Sequence, residues 1–318
     1  MEKFEIGDSV IYNADAFSVL PTLEDGSIDF CCSDPPYASE SFGGKCTDCD
    51  WDKPVPLPEF WELIERKTKP QANVALFCNM KLAYDLIGSN KKGFRYDLTW
   101  VKNNPVGFFN ANQQPMRSHE NILLFGKPGN MATATFNPLK TAGTRPRVNR
   151  AKARKSGGVY PAGEAYTTIS DGSVNPISVL AFDHDRKNQP GLHPTQKPVN
   201  LLAWLIFTYS NEFDIILDPF SGSSSCGEAA LRLNRRYIGI EKDPVYYATA
   251  CKRLEAVYQR KTTRRRLTIM TFPDHPTTTD QTASAVESAD ELTSESELQN
   301  CDNKIETNED SEQQLQDQ

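Results

Sequence analysis

Residues 215–227 read Ile-Ile-Leu-Asp-Pro-Phe-Ser-Gly-Ser-Ser-Ser-Cys-Gly, and this stretch predicts the fold of the chain around it. An apolar run predicts a short buried strand, and the small residues after it predict a loop that leads into a helix. Such a loop lets a ligand approach the backbone closely, and the helix N-terminus offers free N–H groups. A second strand, predicted at 237–240, ends at Glu241, where a carboxylate can hydrogen-bond a ribose diol. The stretch therefore predicts a nucleoside-binding βαβ unit.

The composition of the same loop favours S-adenosylmethionine over a dinucleotide as its ligand. The glycine fingerprint of nicotinamide-binding folds, G-x-G-x-x-G, is absent from it. Asp218, at the end of the strand, suits a cationic group such as the ammonium of an amino acid. The ring of Phe220 suits a thioether or sulfonium neighbour. A nicotinamide oxidoreductase is consequently the weaker alternative.

A second motif follows another predicted buried strand, at 28–32. Residues 33–37 read Ser-Asp-Pro-Pro-Tyr, and two successive prolines prevent the chain from continuing in a sheet. A carboxylate, a rigid bend and an aromatic ring are thus expected at the carboxyl end of a strand. In open α/β sheets, ligands bind at that edge. Taken alone, the motif is equally compatible with a simple proline turn.

Strands and helices alternate along most of the chain, which is the pattern of a parallel sheet covered by helices. Further strands are predicted at 9–13, 73–78, 94–101 and 121–125. Helices are predicted at 15–23, 58–69, 80–90, 199–209, 227–233 and 244–259. Residues 38–57 lack periodicity and predict a loop whose length suits an active-site flap. The predicted fold class is a doubly wound α/β sheet.

Residues 131–190 differ from this regular pattern, because apolar periodicity fades and Gly, Pro, Thr and Asn become frequent. We interpret them as an inserted, loop-rich module. Six basic residues crowd into this insert, namely Arg145, Arg147, Arg150, Lys152, Arg154 and Lys155. A run of charge is often only solvated surface, but its position in an irregular insert favours contact with phosphate groups.

The net charge of −7 conceals two regions of opposite sign. Residues 280–318 contain 12 acidic residues and one basic residue, Lys304, and so carry −11. Residues 1–279 therefore carry about +4, the difference between −7 and −11. A mildly basic body is compatible with binding a polyanion. Residues 273–318 are poor in aromatics and rich in Ser, Thr, Glu, Asp and Gln, which predicts a disordered acidic tail.

The eight cysteines are scattered, which favours reduced thiols over a disulfide framework. Residues 46–49 form a single C-x-x-C, whereas a zinc site needs about four ligands, so we expect no metal. The H-x-E of zinc deaminases is also absent. The chain has no run of 18 apolar residues and no apolar N-terminal stretch. We therefore expect a cytoplasmic location without membrane contact.

Three segments together resemble the DNA amino-methyltransferases that act on adenine N6 or cytosine N4. They are residues 34–37 (Asp-Pro-Pro-Tyr), residues 193–198 (His-Pro-Thr-Gln-Lys-Pro) and residues 218–223 (Asp-Pro-Phe-Ser-Gly-Ser). Their order, with the catalytic motif before the cofactor motif, resembles the β-type arrangement of that family. The resemblance implies a Rossmann-like methyltransferase sheet. Its segments are a catalytic half at 1–130, a target-recognition insert at 131–190 and a cofactor-binding half at 191–272.

The resemblance also implies roles for individual residues. Asp34 and the carbonyl of Pro35 would accept hydrogen bonds from the exocyclic amine of the target base. Pro36 would help close the pocket wall, and Tyr37 would stack on the base. Residues expected to contact S-adenosylmethionine are Asp15, Ala16, Thr195, Lys197, Asp218, Phe220, Gly222, Ser223 and Glu241.

The expected activity is methylation of a flipped adenine at N6 in double-stranded DNA, as in restriction-modification systems of bacteria and phages. An aspartate at the first motif position is mostly found in adenine enzymes, so cytosine N4 is the nearest alternative. Remoter alternatives are a protein-glutamine methyltransferase, which carries a related N-P-P-Y, and a DNA-binding protein with an inactive pocket. A monomer and a homodimer are both compatible with the sequence.

Overall fold

The computed structural model describes residues 2–45, 47, 49, 51–129, 131–143, 145–153, 163–183 and 196–271 of the 318-residue chain. One compact unit spans Met1–Arg265. Of the second unit, Arg266–Gln318, the described part is the end of a helix. The predicted acidic tail, 273–318, lies outside the described residues. Among the described residues, no helix is both long enough and apolar enough to cross a membrane.

Eleven strands and six α-helices make up the described parts of the chain. The strands are β1 (Glu2–Ile6), β2 (Ser9–Asn13), β3 (Ile28–Ser33), β4 (Thr68–Cys78), β5 (Phe94–Val106), β6 (Arg117–Gly126), β7 (Arg147–Ala151), β8 (Tyr166–Ser170), β9 (Val179–Ala181), β10 (Ile215–Asp218) and β11 (Arg236–Glu241). The helices are α1 (Ala16–Val19), α2 (Leu57–Lys67), α3 (Met80–Ser89), α4 (Val199–Tyr209), α5 (Ser225–Arg232) and α6 (Pro244–Thr271). Single 3₁₀ turns lie at Leu20–Thr22, Glu40–Phe42, Phe108–Asn110 and Met131–Thr133.

Nine strands form one sheet in the order β1-β2-β11-β10-β3-β4-β6-β5-β9. The five strands from β2 to β4 in this order run parallel. The strand β6 is antiparallel to both of its neighbours, and β1 is antiparallel to β2. The chain leaves β3 towards β4 on one side and leaves β10 towards β11 on the other. The order of strands therefore reverses between β3 and β10, where open α/β sheets bind their ligands.

Helices cover both faces of this sheet, and each face has its own apolar core. One core joins α4, α5 and α6 to the sheet, with Phe30 and Cys32 of β3 on that side. The other joins α1, α2 and α3, with Cys31 of the same strand facing it. Ile28 also faces this second core, because the pairing of β3 with β4 shifts register between Ile28 and Phe30. Because successive side chains of a strand point to opposite faces, a strand buried on both sides reads as a continuous apolar run. The short strand β3 is the central example.

The structure confirms the predicted doubly wound α/β class, and differs from the predictions mainly at strand ends. The strand β1 escaped prediction because its sequence, Glu-Lys-Phe-Glu-Ile, is largely charged and lies at an exposed sheet edge. The strand β5 continues five residues past the predicted end at Val101, and of these Asn103 and Asn104 are exposed while Lys102 is buried. The strands β7, β8 and β9 lie within the segment 131–190, and β9 pairs with β5 at the edge of the main sheet. The segment boundaries themselves remain predictions.

Candidate active site

The two predicted motifs meet at the carboxyl ends of the neighbouring strands β3 and β10. Ser33 closes β3 and Asp218 closes β10, and both side chains are buried. The Ser33 hydroxyl donates a hydrogen bond of 2.5 Å to Asp218 Oδ1. The two turns that follow, starting at Asp34 and Pro219, are thereby fixed side by side. Residues separated by more than 180 positions in sequence share one site.

Lys197 holds one oxygen of the Asp34 carboxylate. Its Nζ lies 2.5 Å from Asp34 Oδ2 and 5.3 Å from the ring centres of both Tyr37 and Phe77. The other oxygen, Asp34 Oδ1, is buried and accepts no hydrogen bond from any described residue. A buried acceptor without a donor is costly, so this atom is prepared for an N–H group of a ligand.

Glu120 on β6 connects the rest of this charged cluster. The Tyr37 hydroxyl donates a 3.0 Å hydrogen bond to Glu120 Oε2, and Lys197 Nζ lies 3.5 Å from the same oxygen. Lys102 on β5 pairs with Glu120 Oε1. Burial alone would raise the pKa of Glu120, but Lys197 and Lys102 outweigh it and lower that pKa to about 2. Glu120 is therefore ionised throughout the physiological range.

Burial and charge act in opposite directions on Asp34 and Lys197. Burial raises the pKa of Asp34, although Lys197 acts to lower it. Burial would lower the pKa of Lys197, yet Asp34 and Glu120 together leave that pKa above its usual value. Lys197 therefore carries a proton at neutral pH. Burial and the carboxylates of Asp34 and Glu120 likewise raise the pKa of Tyr37, which keeps its phenol neutral.

The loop after β10 is held by backbone hydrogen bonds to Glu241, at the end of β11. The Gly222 N–H donates to Glu241 Oε2 and the Asp243 N–H donates to Oε1, each at 2.7 Å. Gly222 has φ +52°, in the left-handed region that favours glycine. Ser224, before α5, also lies there, at φ +59°. Each Glu241 oxygen keeps a further acceptor position, because an ionised carboxylate can accept about four hydrogen bonds.

Asp218 differs from Asp34 in having only neutral partners among the described residues. Besides Ser33, the backbone N–H of Phe220 donates to its Oδ1, at 3.3 Å. Burial raises the pKa of Asp218 to about 7, and the hydrogen bond from Ser33 offsets only part of that effect. A buried carboxylate whose described partners are all neutral suits a cationic group of a ligand.

Gln196 and Arg253 connect the loop after β10 to the segment that carries Lys197. Arg253 Nη2 donates to Gln196 Oε1 at 2.6 Å, and Arg253 Nη1 donates to Ser223 Oγ at 3.3 Å. Arg253 Nε also lies 3.3 Å from the buried carboxylate of Glu228 on α5. Arg253 thus joins Ser223 to the residue beside Lys197.

The remaining predicted cofactor residues lie around the same edge. Asp15 caps α1 by accepting the N–H of Phe17 at 3.0 Å, and its Oδ2 pairs with Lys242 at 3.0 Å. Ala16 is buried directly after it. The ring of Phe220 stacks on Phe60 of α2, with centroids 6.2 Å apart. Thr195 lies outside the described residues.

The sequence assigns Lys197 to the cofactor side, and this role stays a prediction. In the structure, its ammonium group lies between Asp34, in the Asp-Pro-Pro-Tyr motif, and Glu120 on β6. The neighbouring Gln196 makes the link to Ser223 instead. The sequence alone does not tell which of the neighbours Gln196 and Lys197 faces Ser223 and which faces Asp34, because successive residues of an extended segment point in opposite directions.

The loop after Tyr37, predicted as a flap, is anchored by two carboxylates. Asp52 is buried and accepts the Ala38 N–H at 2.9 Å and the Thr47 N–H at 2.5 Å. Asp85 on α3 accepts the Ser39 hydroxyl at 2.6 Å. These contacts fix the chain immediately after the motif and so help to orient the Tyr37 ring.

The described basic residues of the insert are exposed. Arg150 lies on β7, which pairs with β8 in a separate two-stranded sheet, and Arg145 and Lys152 flank that strand. Arg147 is also in β7, but its side chain lies outside the described residues, as do Arg154 and Lys155. The exposed position is compatible with contact to a polyanion.

Sequence reasoning missed Lys102, Gln196, Arg253 and Asp52 as members of this site, and it left Glu120 open between contact with the base pocket and a structural turn. One signal was present, since residues 117–121 (Arg-Ser-His-Glu-Asn) form a polar cluster before an apolar strand. A structural turn explains such a cluster equally well. Among the described residues, no group of His, Cys, Asp and Glu side chains could hold a metal ion.

The doubly wound sheet, with an Asp-Pro-Pro-Tyr turn beside a glycine loop at its switch point, defines a Rossmann-like methyltransferase. A family model described as DNA methylase, covering N6 and N4 enzymes, matches residues 28–252. The chain belongs to this DNA methylase family and is a DNA methyltransferase of the N6/N4 class.

Curated relatives extend this match over most of the chain. The Type II methyltransferase M2.DpnII of Streptococcus pneumoniae is 28% identical over 266 residues, which cover 78% of this chain and 90% of that protein. The Type II methyltransferase M.HpaI of Haemophilus parainfluenzae is 28% identical over 262 residues, covering 79% and 76% respectively.

Two solved structures share the fold. The M1.HpyAVI complex with S-adenosylmethionine superposes with a TM-score of 0.51 at 25% identity, covering 77% of this chain and 98% of that one. The cytosine-N4-specific PvuII DNA methyltransferase superposes with a TM-score of 0.56, covering 80% and 92%. At 16% identity, the second likeness concerns the fold alone.

Proposed function

We propose that this protein transfers a methyl group from S-adenosylmethionine to N6 of an adenine in a specific sequence of double-stranded DNA. The observation that carries the proposal is the state of the Asp34 carboxylate. Lys197 holds its Oδ2, while its buried Oδ1 accepts no hydrogen bond from any described residue. That oxygen is an acceptor for an exocyclic amine, which has two N–H bonds to donate.

The residues around Asp218 fit S-adenosylmethionine. Asp218 is a buried carboxylate with neutral partners and a raised pKa, and an ammonium or sulfonium group would supply the missing positive charge. Glu241 keeps acceptor positions for ribose hydroxyls, and Gly222 allows close approach to the backbone. Phe220, Ser223, Asp15 and Ala16 complete this side. When bound, S-adenosylmethionine supplies an electrophilic methyl group.

Asp34 and Pro35 act on the target amine. The lone pair of the adenine amine is delocalised into the ring, so the amine is a weak nucleophile. Asp34 Oδ1 and the Pro35 carbonyl hold its two N–H bonds and draw the nitrogen towards tetrahedral geometry, which directs the lone pair at the methyl carbon. S-adenosylmethionine held by Asp218, Gly222 and Glu241 would supply the methyl group, and the amine nitrogen held by Asp34 and Pro35 would supply the electron pair. The nitrogen then sheds one proton, and the Asp34 carboxylate is positioned to accept it.

Lys197 and Glu120 orient this pair of acceptors. Lys197 fixes Oδ2 of Asp34, which leaves Oδ1 as the oxygen available to the amine. Glu120 holds both Lys197 and the Tyr37 hydroxyl, so the aromatic platform and the carboxylate keep a fixed relation. Orientation of well-placed reactants contributes roughly 7–11 kcal/mol in favourable cases. No covalent intermediate with the enzyme is required.

The substrate base has to leave the helix to reach this pocket. Unstacking costs a few kcal/mol, and stacking on Tyr37 returns ~1–3 kcal/mol. Adenine is favoured over cytosine because an aspartate occupies the first position of the motif, while the preceding Ser33 is committed to Asp218. The basic residues Arg145, Arg147, Arg150, Lys152, Arg154 and Lys155 are proposed to contact DNA phosphates.

The test is to incubate the purified protein with labelled S-adenosylmethionine and unmodified genomic DNA, and to identify the labelled nucleoside after digestion. Label in N6-methyldeoxyadenosine supports the proposal. Label in N4-methyldeoxycytidine would establish the cytosine alternative. Label that enters protein and not DNA would reject a DNA substrate. Sequencing with detection of modified bases on the same sample gives the recognition sequence.

A further inference from the structure

The hairpin tip, which we define as residues 103–117, comprises the end of β5, the connecting loop and the first residue of β6, and it presents two phenyl rings to solvent. Phe108 and Phe109 are 65% and 86% exposed, and their ring centroids lie 4.0 Å apart at 32°. Gly107, at φ +92°, turns the chain into the 3₁₀ turn that carries them. Their position is therefore set by a defined turn. Large apolar side chains paired in this way on a surface commonly mark an interaction site.

The hairpin tip leaves the sheet at the edge where the site lies. The strand β6 is antiparallel to both β4 and β5, so β5 runs in the same direction as β4 and β3. The carboxyl end of β5 at Val106 thus lies on the same edge as Asp34. In addition, β5 and β6 carry Lys102 and Glu120 of the charged cluster. At a rise of about 3.3 Å per residue, Arg117 lies roughly 10 Å beyond Glu120.

The composition of the hairpin tip suits nucleic acid. Its 15 residues include four asparagines, two glutamines and Arg117, and no acidic residue. Amide side chains hydrogen-bond base edges and sugars, and an absence of carboxylates avoids repulsion by phosphates. Exposed aromatic rings offer flat apolar surfaces on which bases stack.

We propose that Phe108 and Phe109 form a wedge that enters the base stack beside the target base and keeps that base outside the helix. This inference rests on the proposed function, since it concerns the same DNA substrate. Apolar side chains inserted between base steps are a general means of unstacking DNA. Here the wedge is connected to the pocket through two paired strands, so it would hold the duplex at a fixed distance from Asp34 and Tyr37.

The experiment compares two oligonucleotide duplexes that contain the recognised sequence. In one, the target base is normally paired; in the other, it lies opposite an abasic site and leaves the helix more easily. The F108A/F109A variant is measured on both in single turnovers. Phe213→Ala is the matched control, because Phe213 is 68% exposed but precedes β10 and so lies at the opposite sheet edge.

We expect F108A/F109A to methylate the paired duplex roughly 10–100-fold more slowly, the range that the loss of one or two aromatic stacks gives. Its rate on the abasic duplex should stay within about threefold of the unsubstituted protein. Phe213→Ala should match the unsubstituted protein on both duplexes. The single substitution Phe109→Trp keeps an aromatic surface, so this variant should retain most of the unsubstituted protein's rate on the paired duplex.

An equal rate of F108A/F109A and the unsubstituted protein on the paired duplex would overturn the wedge. An equal loss on both duplexes would also overturn it, and an accompanying change of oligomeric state would assign the tip to a contact between copies. If the unsubstituted protein methylated neither duplex, the proposed function itself would fail. The two ideas are thus distinguished in one set of reactions.

Discussion

The two sides of the site are built in different ways. On the base side, which we define as Asp34, Tyr37, Glu120, Lys197 and Lys102, four charged side chains and one phenol from four separate segments hold one another. On the donor side, which we define as Asp218, the loop after it and Glu241, the partners of the carboxylates are a hydroxyl and backbone N–H groups. One side depends on ion pairs and the other on backbone geometry.

This difference shows how one site can meet two requirements. Under the proposed function, the base side would orient a weak nucleophile, and its buried ion pairs leave one oxygen of Asp34 as an acceptor. The donor side would attract a cation, and the buried Asp218 carboxylate without a cationic partner suits that task. We therefore expect substitutions on the base side to impair methyl transfer, and substitutions on the donor side to impair donor binding.

The largest effect should come from Asp34→Asn. The substitution keeps the shape of the side chain but replaces the carboxylate that accepts the amine and is placed to take its proton. Loss of one well-placed electrostatic contact costs roughly 10²–10³-fold in rate, so kcat should fall by that factor. Single-turnover transfer of labelled methyl groups to duplex DNA measures it.

Asp8→Asn is the control for this substitution, because Asp8 is exposed in the turn between β1 and β2. It should methylate DNA at the unsubstituted rate. A kcat of Asp34→Asn within threefold of the unsubstituted protein would contradict the role of this carboxylate.

Glu120→Gln should give the second-largest effect, because it removes the charge shared by two lysines. Lys197 and Lys102 would stay buried with less negative charge to balance their ammonium groups. The Tyr37 hydroxyl would lose an ionised acceptor. Breaking a buried pair typically costs about 3–5 kcal/mol, and retention of the amide oxygen should reduce that loss. We expect kcat to fall roughly 10–100-fold, together with a lower melting temperature.

The control for Glu120→Gln is donor binding, measured by calorimetry on the same sample. A Kd for S-adenosylmethionine within about threefold of the original would show that the damage is confined to the base side. An equal loss of donor affinity and rate would mean that Glu120 supports the whole fold, and the division between the two sides would not hold.

Asp218→Asn should weaken donor binding and yet stabilise the donor-free protein at high pH. Its folded-state pKa of about 7 lies above the ordinary value near 4, so its contribution to stability is full below pH 4 and declines as the pH rises towards 7. The amide removes a buried charge, and the gain should reach up to about 4 kcal/mol at pH 8 and be smaller at pH 5. Donor affinity at pH 8 should fall roughly tenfold.

Thermal unfolding at pH 5 and pH 8, with and without S-adenosylmethionine, measures both effects. The unsubstituted protein should bind the donor more tightly as the pH rises through 7, and Asp218→Asn should lose most of that dependence. A stability gain that is equal at both pH values would contradict the raised pKa of Asp218.

The smallest effect should come from Lys242→Met, at the residue that follows Glu241 of the donor side. Lys242 and Asp15 form an ion pair whose side chains are 78% and 44% exposed, and such pairs are worth about 0–1 kcal/mol. Donor affinity should change by less than about twofold. The matching substitution on the base side, Lys197→Met, removes a buried lysine and should reduce methylation by at least tenfold. Similar effects of the two substitutions would remove the distinction between the sides.

Sequence reasoning predicted the donor side more completely than the base side, for a physical reason. Asp218, Gly222 and Glu241 lie within one βαβ unit, where local patterns of strand, loop and helix specify the geometry. Glu120 contacts Tyr37 across 83 positions, and its place depends on how β6 pairs within the sheet. Such pairing is a property of the whole fold.

The hairpin tip illustrates the same limit. Phe108 and Phe109 resemble ordinary core residues in sequence, because apolar side chains in a strand-rich region are usually buried. Their exposure follows from the extension of β5 past Val101 and from the turn at Gly107, neither of which the local sequence pattern indicates.

The central claim, that the two sides have separate tasks, is tested most directly by titrating S-adenosylmethionine into Asp34→Asn and Asp218→Asn in a calorimeter at pH 8. The account predicts that Asp34→Asn binds the donor within about threefold of the unsubstituted protein, although its kcat is roughly 10²–10³-fold lower. Asp218→Asn should bind the donor roughly tenfold more weakly. A loss of more than tenfold in donor affinity for Asp34→Asn, or none for Asp218→Asn, would contradict it.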